Sequence, residues 1–189
     1  EIGVRLVGSE MCLRDRYYSE PEKVGLTYYS GISYNNEPLY IQTPLLKCLE
    51  NGSTCISRKC PTLDTENSDN DFKFYDFLIQ LDEENINNTH DNGSKWFGKD
   101  IPKDTIDEMY KRTIKPIKKG SRPSYAFKIP SIKYKAQCPI YDQHKVCHEI
   151  DKCESGSDIE LILHVRGLKF LKQTYLSLIH ISEPTRRTP

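Results

Sequence analysis

The densest concentration of residues that could do chemistry lies between Lys111 and Tyr141. Lys111, Arg112, Lys115, Lys118, Lys119, Arg122, Lys128, Lys133 and Lys135 follow one another there with no acidic residue among them. Tyr125, Phe127, Tyr134 and Tyr141 are interleaved with the later ones. Cations along a groove neutralise a phosphate backbone, and aromatic faces stack on unpaired bases at roughly 1–3 kcal/mol per base. Together they are the chemistry of single-strand binding. The six cations from Lys111 to Arg122 would form an electrostatic funnel. Lys128, Lys133 and Lys135 would stand on strands, with Tyr125, Phe127, Tyr134 and Tyr141 as stacking faces. Each assignment has an ordinary alternative. Tyr125, Phe127 and Ile129 share one strand face, a usual core position, and a lysine run can be a solvated surface.

Two further constellations carry less. Cys48, Cys55 and Cys60, with Cys147, His148 and Cys153, are zinc-ligand types, but the tight Cys-x2-Cys hook is missing. Asp142, His144, His148, Glu149 and Asp151 crowd one stretch without a nucleophile motif, a His-Glu-x-x-His or a glycine-rich phosphate loop. The expectation is a non-enzymatic chain with no cofactor and no bound metal. A zinc-containing protein or metal-dependent enzyme ranks third.

Charge supports the first constellation by its distribution. The chain has 27 basic and 27 acidic residues, so its net charge selects no partner. Yet residues 62–91 hold nine acidic side chains and one basic, Lys73, whereas residues 111–135 hold nine basic and none acidic. Such a split points to a polyanion on one face. No apolar run approaches 18 residues, which argues against a membrane span. Seven cysteines, an odd and scattered set, fit a reducing cytosol or nucleus better than a secreted disulfide scaffold.

The elements that must position these residues are organised around residues 71–102. Phe72, Tyr75, Leu78 with Ile79, Asp82 and Ile86 mark successive turns, and Phe74, Phe77 and Leu81 widen the stripe. This spacing predicts an amphipathic helix capped by Asp71, stopped at Asn92-Gly93, with Asp82, Glu83 and Glu84 on its wet side. Trp96 and Phe97 would pin its far end onto a sheet. A second helix opens at Pro102 and runs through Ile106, Met109 and Tyr110. Tyr17, Tyr18, Tyr28 and Tyr29 would alternate into a strand ending at Ser30-Gly31, and further strands are expected at Leu39–Thr43, Tyr125–Ile129, Tyr134–Cys138 and Ile159–Arg166, with a turn at residues 33–38. Loops fill 45–60 and 147–156. The result is an α+β domain, a small antiparallel β-barrel with an inserted helical pair.

Residues 176–186, LSLIHISEPTR, read as the translation of a common transposase sequencing adapter. The domain is therefore expected to span 1–175, truncated at both ends, with 176–189 not native. Within it, Glu37-Pro-Leu-Tyr-Ile-Gln-Thr-Pro44, Phe74-Tyr-Asp-Phe-Leu78 with Leu81-Asp82, and Ser94-Lys-Trp-Phe-Gly-Lys99 occur in succession. Tyr125-Ala-Phe-Lys-Ile-Pro130 and Leu163-His-Val-Arg-Gly-Leu-Lys-Phe170 follow. In this order the stretches resemble a largely uncharacterised family of nucleocytoplasmic large DNA viruses. The resemblance implies an OB-fold-like protein binding single-stranded DNA, or RNA as the alternative, in viral replication or repair. Its partners would include replication proteins, and its place would be the host cytoplasm (the viral factory) or nucleus. The rival expectation is a virion or replication-complex module that binds protein through the aromatic helix or the acidic face.

Overall fold

From Asp158 to Phe170 the chain alternates apolar and polar residues, and this period-two run becomes the longest central strand of the fold. The computed structural model describes residues 5–6, 16–47, 57–60, 68–114, 125–128, 131–132, 135–136, 138–149, 156–171 and 175–188. Seven strands come first: β1 (Arg5–Leu6), β2 (Arg16–Tyr18), β3 (Glu22–Val24), β4 (Thr27–Tyr34), β5 (Glu37–Gln42), β6 (Leu46–Lys47) and β7 (Ser57–Cys60). Helices α1 (Ser68–Asp91), α2 (Gly93–Phe97) and α3 (Lys103–Met109) follow. The chain then forms β8 (Tyr110–Lys111), β9 (Tyr125–Lys128), β10 (Ser131–Ile132), β11 (Lys135–Ala136) and β12 (Pro139–Tyr141). It ends with β13 (Cys147–Glu149), β14 (Asp158–Phe170) and β15 (Tyr175–Thr188). None of the described helices is long and apolar enough to cross a membrane.

β14 pairs antiparallel with β15 along one edge. Along its other edge it meets β6, β5 and β4 in turn. The exchange from β5 to β4 occurs at an irregularity between Val165 and Gly167. A side chain at Gly167 is excluded twice over. Its φ is +153°, and a Cβ there would lie 2.0 Å from the Ser30 carbonyl oxygen. β4 and β5 form a hairpin whose two-residue turn holds Asn35 and Asn36 at φ 50° and 61°, the left-handed pair that a tight hairpin requires.

Strands plus helices are present as expected, but the described strands do not close into a barrel. Their order, β1-β5-β4-β14-β15-β12-β13, stays open at both ends, and parallel pairings (β1 with β5, and β8, β9 and β12 with β15) mix into it. Among the described residues the helical insertion holds three helices rather than two, because the chain breaks at Asn92 and Gly93–Phe97 forms a separate turn that Gly98 ends in the left-handed region. β4 runs straight through Gly31, beyond the end read from sequence. β6, β7 and β13 lie in stretches expected to be loops. Short strands of two to four residues carry too few alternations to announce themselves.

One core joins the helices to the inner face of the sheet. α1 starts at Ser68, three residues before the expected cap, and buries Phe74, Phe77, Leu78, Leu81, Asp82, Asn85, Ile86 and Thr89 at three- and four-residue spacing. Ile79, grouped with Leu78 in the expected stripe, is 37% exposed. Phe74 packs on Phe127 of β9 at 6.4 Å between centroids. Trp96 and Phe97 meet Phe170 of β14 edge-on at 6.0 and 5.3 Å, so the expected pinning of the helix end onto a sheet is what holds α2.

Asp82 corrects the reading of a wet side. It is 2% exposed and faces the core, while Glu83 and Glu84 are partly exposed. Its Oδ1 accepts from the Tyr110 hydroxyl at 2.6 Å and from Thr113 Oγ1 at 2.8 Å, and its Oδ2 accepts from the Thr113 amide at 2.8 Å. The Tyr110 hydroxyl in turn accepts from Asn85 Nδ2, and Asn85 Oδ1 accepts from the Tyr18 hydroxyl, both at 2.9 Å. A buried polar chain thus ties β2, α1, β8 and the Thr113 that follows β8 together. Burial raises the Asp82 carboxyl above its ordinary range, while the bonds from Tyr110 and Thr113 pull it partly back.

Candidate nucleic-acid interface

Of the thirteen residues proposed from sequence, the structure describes the side chains of four, Lys111, Arg112, Phe127 and Tyr141. Phe127 is 1% exposed and packed against Phe74, so it is a core residue and offers no face to a base. Its strand position, facing α1, decides this. Arg112 is exposed but engaged: Nη1 donates to Glu83 at 2.9 Å and Nη2 to Asp107 at 2.6 Å. It links α1 to α3, and those bonds raise its already high pKa. Lys111 is exposed at the end of β8. Tyr125 and Lys128 lie on β9 and Lys135 on β11, where only the backbone is described. Lys115, Lys118, Lys119, Arg122, Lys133 and Tyr134 lie outside the described residues.

A different surface gathers aromatic rings and cations. Because Ile159, Leu161, Leu163 and Val165 point into the core, Glu160, Ile162 and His164 must point out. The irregularity before Gly167 then resets the parity. Leu168 and Phe170 turn inward, and Lys169 turns outward. Register places Tyr40 and Gln42 of β5 and Tyr29 of β4 on this same outer face. Tyr40 stacks on His164 at 4.6 Å with a 29° interplanar angle. The Tyr29 hydroxyl donates to the Arg166 carbonyl at 2.6 Å, which fixes its ring beside the bulge. Arg166 is exposed, Lys169 is partly exposed, and neither makes an ion pair among the described residues. Glu22, opposite Tyr29, and Glu160 are acidic neighbours on the same side.

This face can hold flat rings and phosphates together. Its rings are partly exposed, and its cations sit on the long strand β14. Partial burial lowers the His164 pKa, and the nearby Arg166 lowers it further, so the imidazole is mainly neutral at pH 7. Sequence reasoning found the strand at 159–166 but assigned its outward residues no role. The usable signal was Tyr40 and His164 at outward positions of two confident strands. Their meeting depends on the β5–β14 register, which no local pattern states.

The hydrolytic set resolves into a turn. Asp142 Oδ1 accepts from the amides of His144 at 2.8 Å and Val146 at 2.9 Å, and its Oδ2 lies 3.1 Å from His148 Nε2. Those bonds, led by His148, hold the Asp142 carboxyl below its ordinary value. The arrangement closes the β12–β13 hairpin; Glu149 lies on β13 and Asp151 lies outside the described residues. Among the described residues no group of three His, Cys, Asp or Glu could hold a metal ion. Of the zinc candidates, Cys147 is exposed, only the backbone of Cys60 is described, and Cys48, Cys55 and Cys153 lie outside the described residues.

Compared with known proteins, residues 62–183 match a family of unknown function (DUF5871). That region takes in the helices, the central strand and residues 176–183, the first part of the stretch expected to be adapter. No curated protein matches the chain.

Proposed function

The chain belongs to this family of unknown function, DUF5871, and we propose that it binds single-stranded nucleic acid, without catalysis, in viral DNA replication or repair. What supports the reading is the outer sheet face, where the stacked Tyr40–His164 pair and Tyr29 stand beside Arg166 and Lys169, two cations with no ion pair among the described residues. Bases would stack on the rings and phosphates would lie on the cations, with little sequence preference. Lys111 and the lysines of 115–135 extend the electrostatic field by which a strand is attracted. The reading carries an OB-like mode of binding across an open sheet, not a closed barrel.

A second reading rests on the β3–β4 hairpin tip. Leu26 is fully exposed there, with Val24 at 60% and Tyr28 at 49%. Such an apolar knob suits a replication-complex protein partner.

The deciding experiment is fluorescence anisotropy of a labelled poly-dT strand with the 189-residue chain across a salt series. Binding should weaken steeply with salt. Tyr40→Ala should cost about 1–3 kcal/mol of affinity, and Arg166→Ala should lower the salt slope. Folded protein that fails to bind at low salt would rule out the single-strand reading. Binding unchanged in both variants would remove this face from it.

A further inference from the structure

A cavity of about 190 Å³ opens between α2, α3 and the end of β14. Its walls are Phe97, Ile101, Ile106, Met109, Phe170 and Leu171, with Thr89 and Tyr175 behind them and Lys99 beside them. Ile106, Phe170 and Tyr175 are buried, whereas Lys99 and Leu171 are exposed, so the space has an apolar floor and an open mouth. A cavity of about 150 Å³ lined by aliphatic and aromatic side chains stays dry and accepts benzene. This one has room for such a ring and a small substituent. Lys99 is the one charged residue in the lining, and it makes no ion pair among the described residues. The hydroxyl of Tyr175 is buried at the back of the cavity near Thr89.

We propose that this cavity is a binding site for a small apolar monocarboxylate, with its ring or short branched chain inside and its carboxylate at Lys99. Apolar walls supply affinity without direction, and the single cation at the mouth supplies orientation and the choice of charge. The alternatives are distinguishable by charge alone. A neutral ring of the same shape would gain the walls but not the lysine. An ammonium would gain the walls and meet repulsion. The site is separate from the outer sheet face, because Phe170 and Phe97 belong to the core side of the sheet.

Benzoate, benzyl alcohol and benzylammonium are suitable probes, each titrated into the 189-residue chain. Trp96 is the sole tryptophan and lies 6.3 Å from Phe97 and 6.0 Å from Phe170, so its emission reports on occupancy of the cavity. Benzoate should change that emission saturably and raise the melting temperature. Its affinity should exceed that of benzyl alcohol by about fivefold at low salt, with benzylammonium weakest. Lys99→Gln, a surface change that leaves the fold intact, should erase the preference for benzoate while benzyl alcohol binds as before. Ile106→Phe should weaken all three by filling the space. Equal affinity for benzoate and benzyl alcohol, a preference that survives Lys99→Gln, or no saturable response to any probe overturns the proposal.

Discussion

Tyr110→Phe is the most informative single change, because it deletes one oxygen from the middle of the buried polar chain and leaves the packing in place. The ring keeps its 4.8 Å contact with Tyr175. Lost are the 2.6 Å bond donated to the Asp82 carboxylate and the 2.9 Å bond accepted from Asn85 Nδ2. A hydrogen bond to a charged group contributes about 1.5–3 kcal/mol, and a buried donor left without a partner costs about 1–3 kcal/mol. The two are not additive, since Asp82 retains both bonds from Thr113. The expected loss is about 3 kcal/mol in urea unfolding followed by Trp96 emission, with an unchanged slope. The loss should also depend on pH in a defined sense. The Asp82 carboxyl is raised in the folded state above its ordinary value of 3.8, so its contribution is fully present below that value and falls as pH rises through the folded pKa. Without the Tyr110 hydroxyl the folded pKa rises further, so the deficit of Tyr110→Phe should grow from acid to neutral pH. Tyr75→Phe, a partly buried tyrosine of the same helix, is the control and should change stability by less than about 0.5 kcal/mol. If Tyr110→Phe costs no more than this control, the reasoning about the chain fails.

Three other outcomes follow from the same geometry. Gly167→Ala should destabilise by about 3 kcal/mol or more, since the added Cβ would meet the Ser30 carbonyl oxygen at 2.0 Å; a melting temperature within about 2 °C of the parent chain contradicts this. The His164 imidazole, held below 6.5 in the free protein, should be raised by a bound polyanion. Poly-dT affinity should therefore increase as pH falls from 7 to 5.5, and His164→Gln should flatten the profile. Tyr18 is raised to about 12 from 10.0, and Tyr110 and Tyr175 are raised as well, all chiefly by burial. These groups favour folding fully below pH 10 and lose that contribution as pH climbs through their folded values. Absorbance at 295 nm should show part of the twelve tyrosines ionising only with alkaline unfolding, and ionisation of all twelve while the protein is still folded would contradict that order.

Long periodic segments were legible in the sequence. The apolar spacing from Phe74 to Ile86 became α1, and the alternation from Ile159 to Arg166 became β14. Both signals repeat over several turns or strand positions, so they survive local noise. What failed was the meaning of polarity at single positions. Asp82 was assigned to solvent because it is charged, yet its partners Tyr110 and Thr113 lie 28 and 31 residues away. Phe127 was offered to nucleic acid because it sits among lysines, yet its neighbour is Phe74 on a distant helix. In both cases a contact remote in sequence decides the environment, and no periodicity encodes it.

The outer face follows from that same inner chemistry. α1 carries three polar residues, Asp82, Asn85 and Thr89, on its buried side, and satisfying them demands Tyr110, Thr113 and Tyr18 at fixed positions. An all-apolar helix could slide or rotate against the sheet at small cost, because apolar contacts carry little direction. A carboxylate accepting three bonds cannot move without leaving charge unpaired in the core. The helices are thereby held to one side of β14, and no described helix covers the opposite side. Tyr29, Tyr40, His164, Arg166 and Lys169 are partly exposed because that open side faces no described helix. Asp82→Leu separates anchoring from direct binding. If the helix loosens while the sheet persists, Trp96 emission should shift and poly-dT affinity should stay within about twofold at a temperature where the variant is folded. A large loss of affinity in folded protein would place α1 itself at the interface.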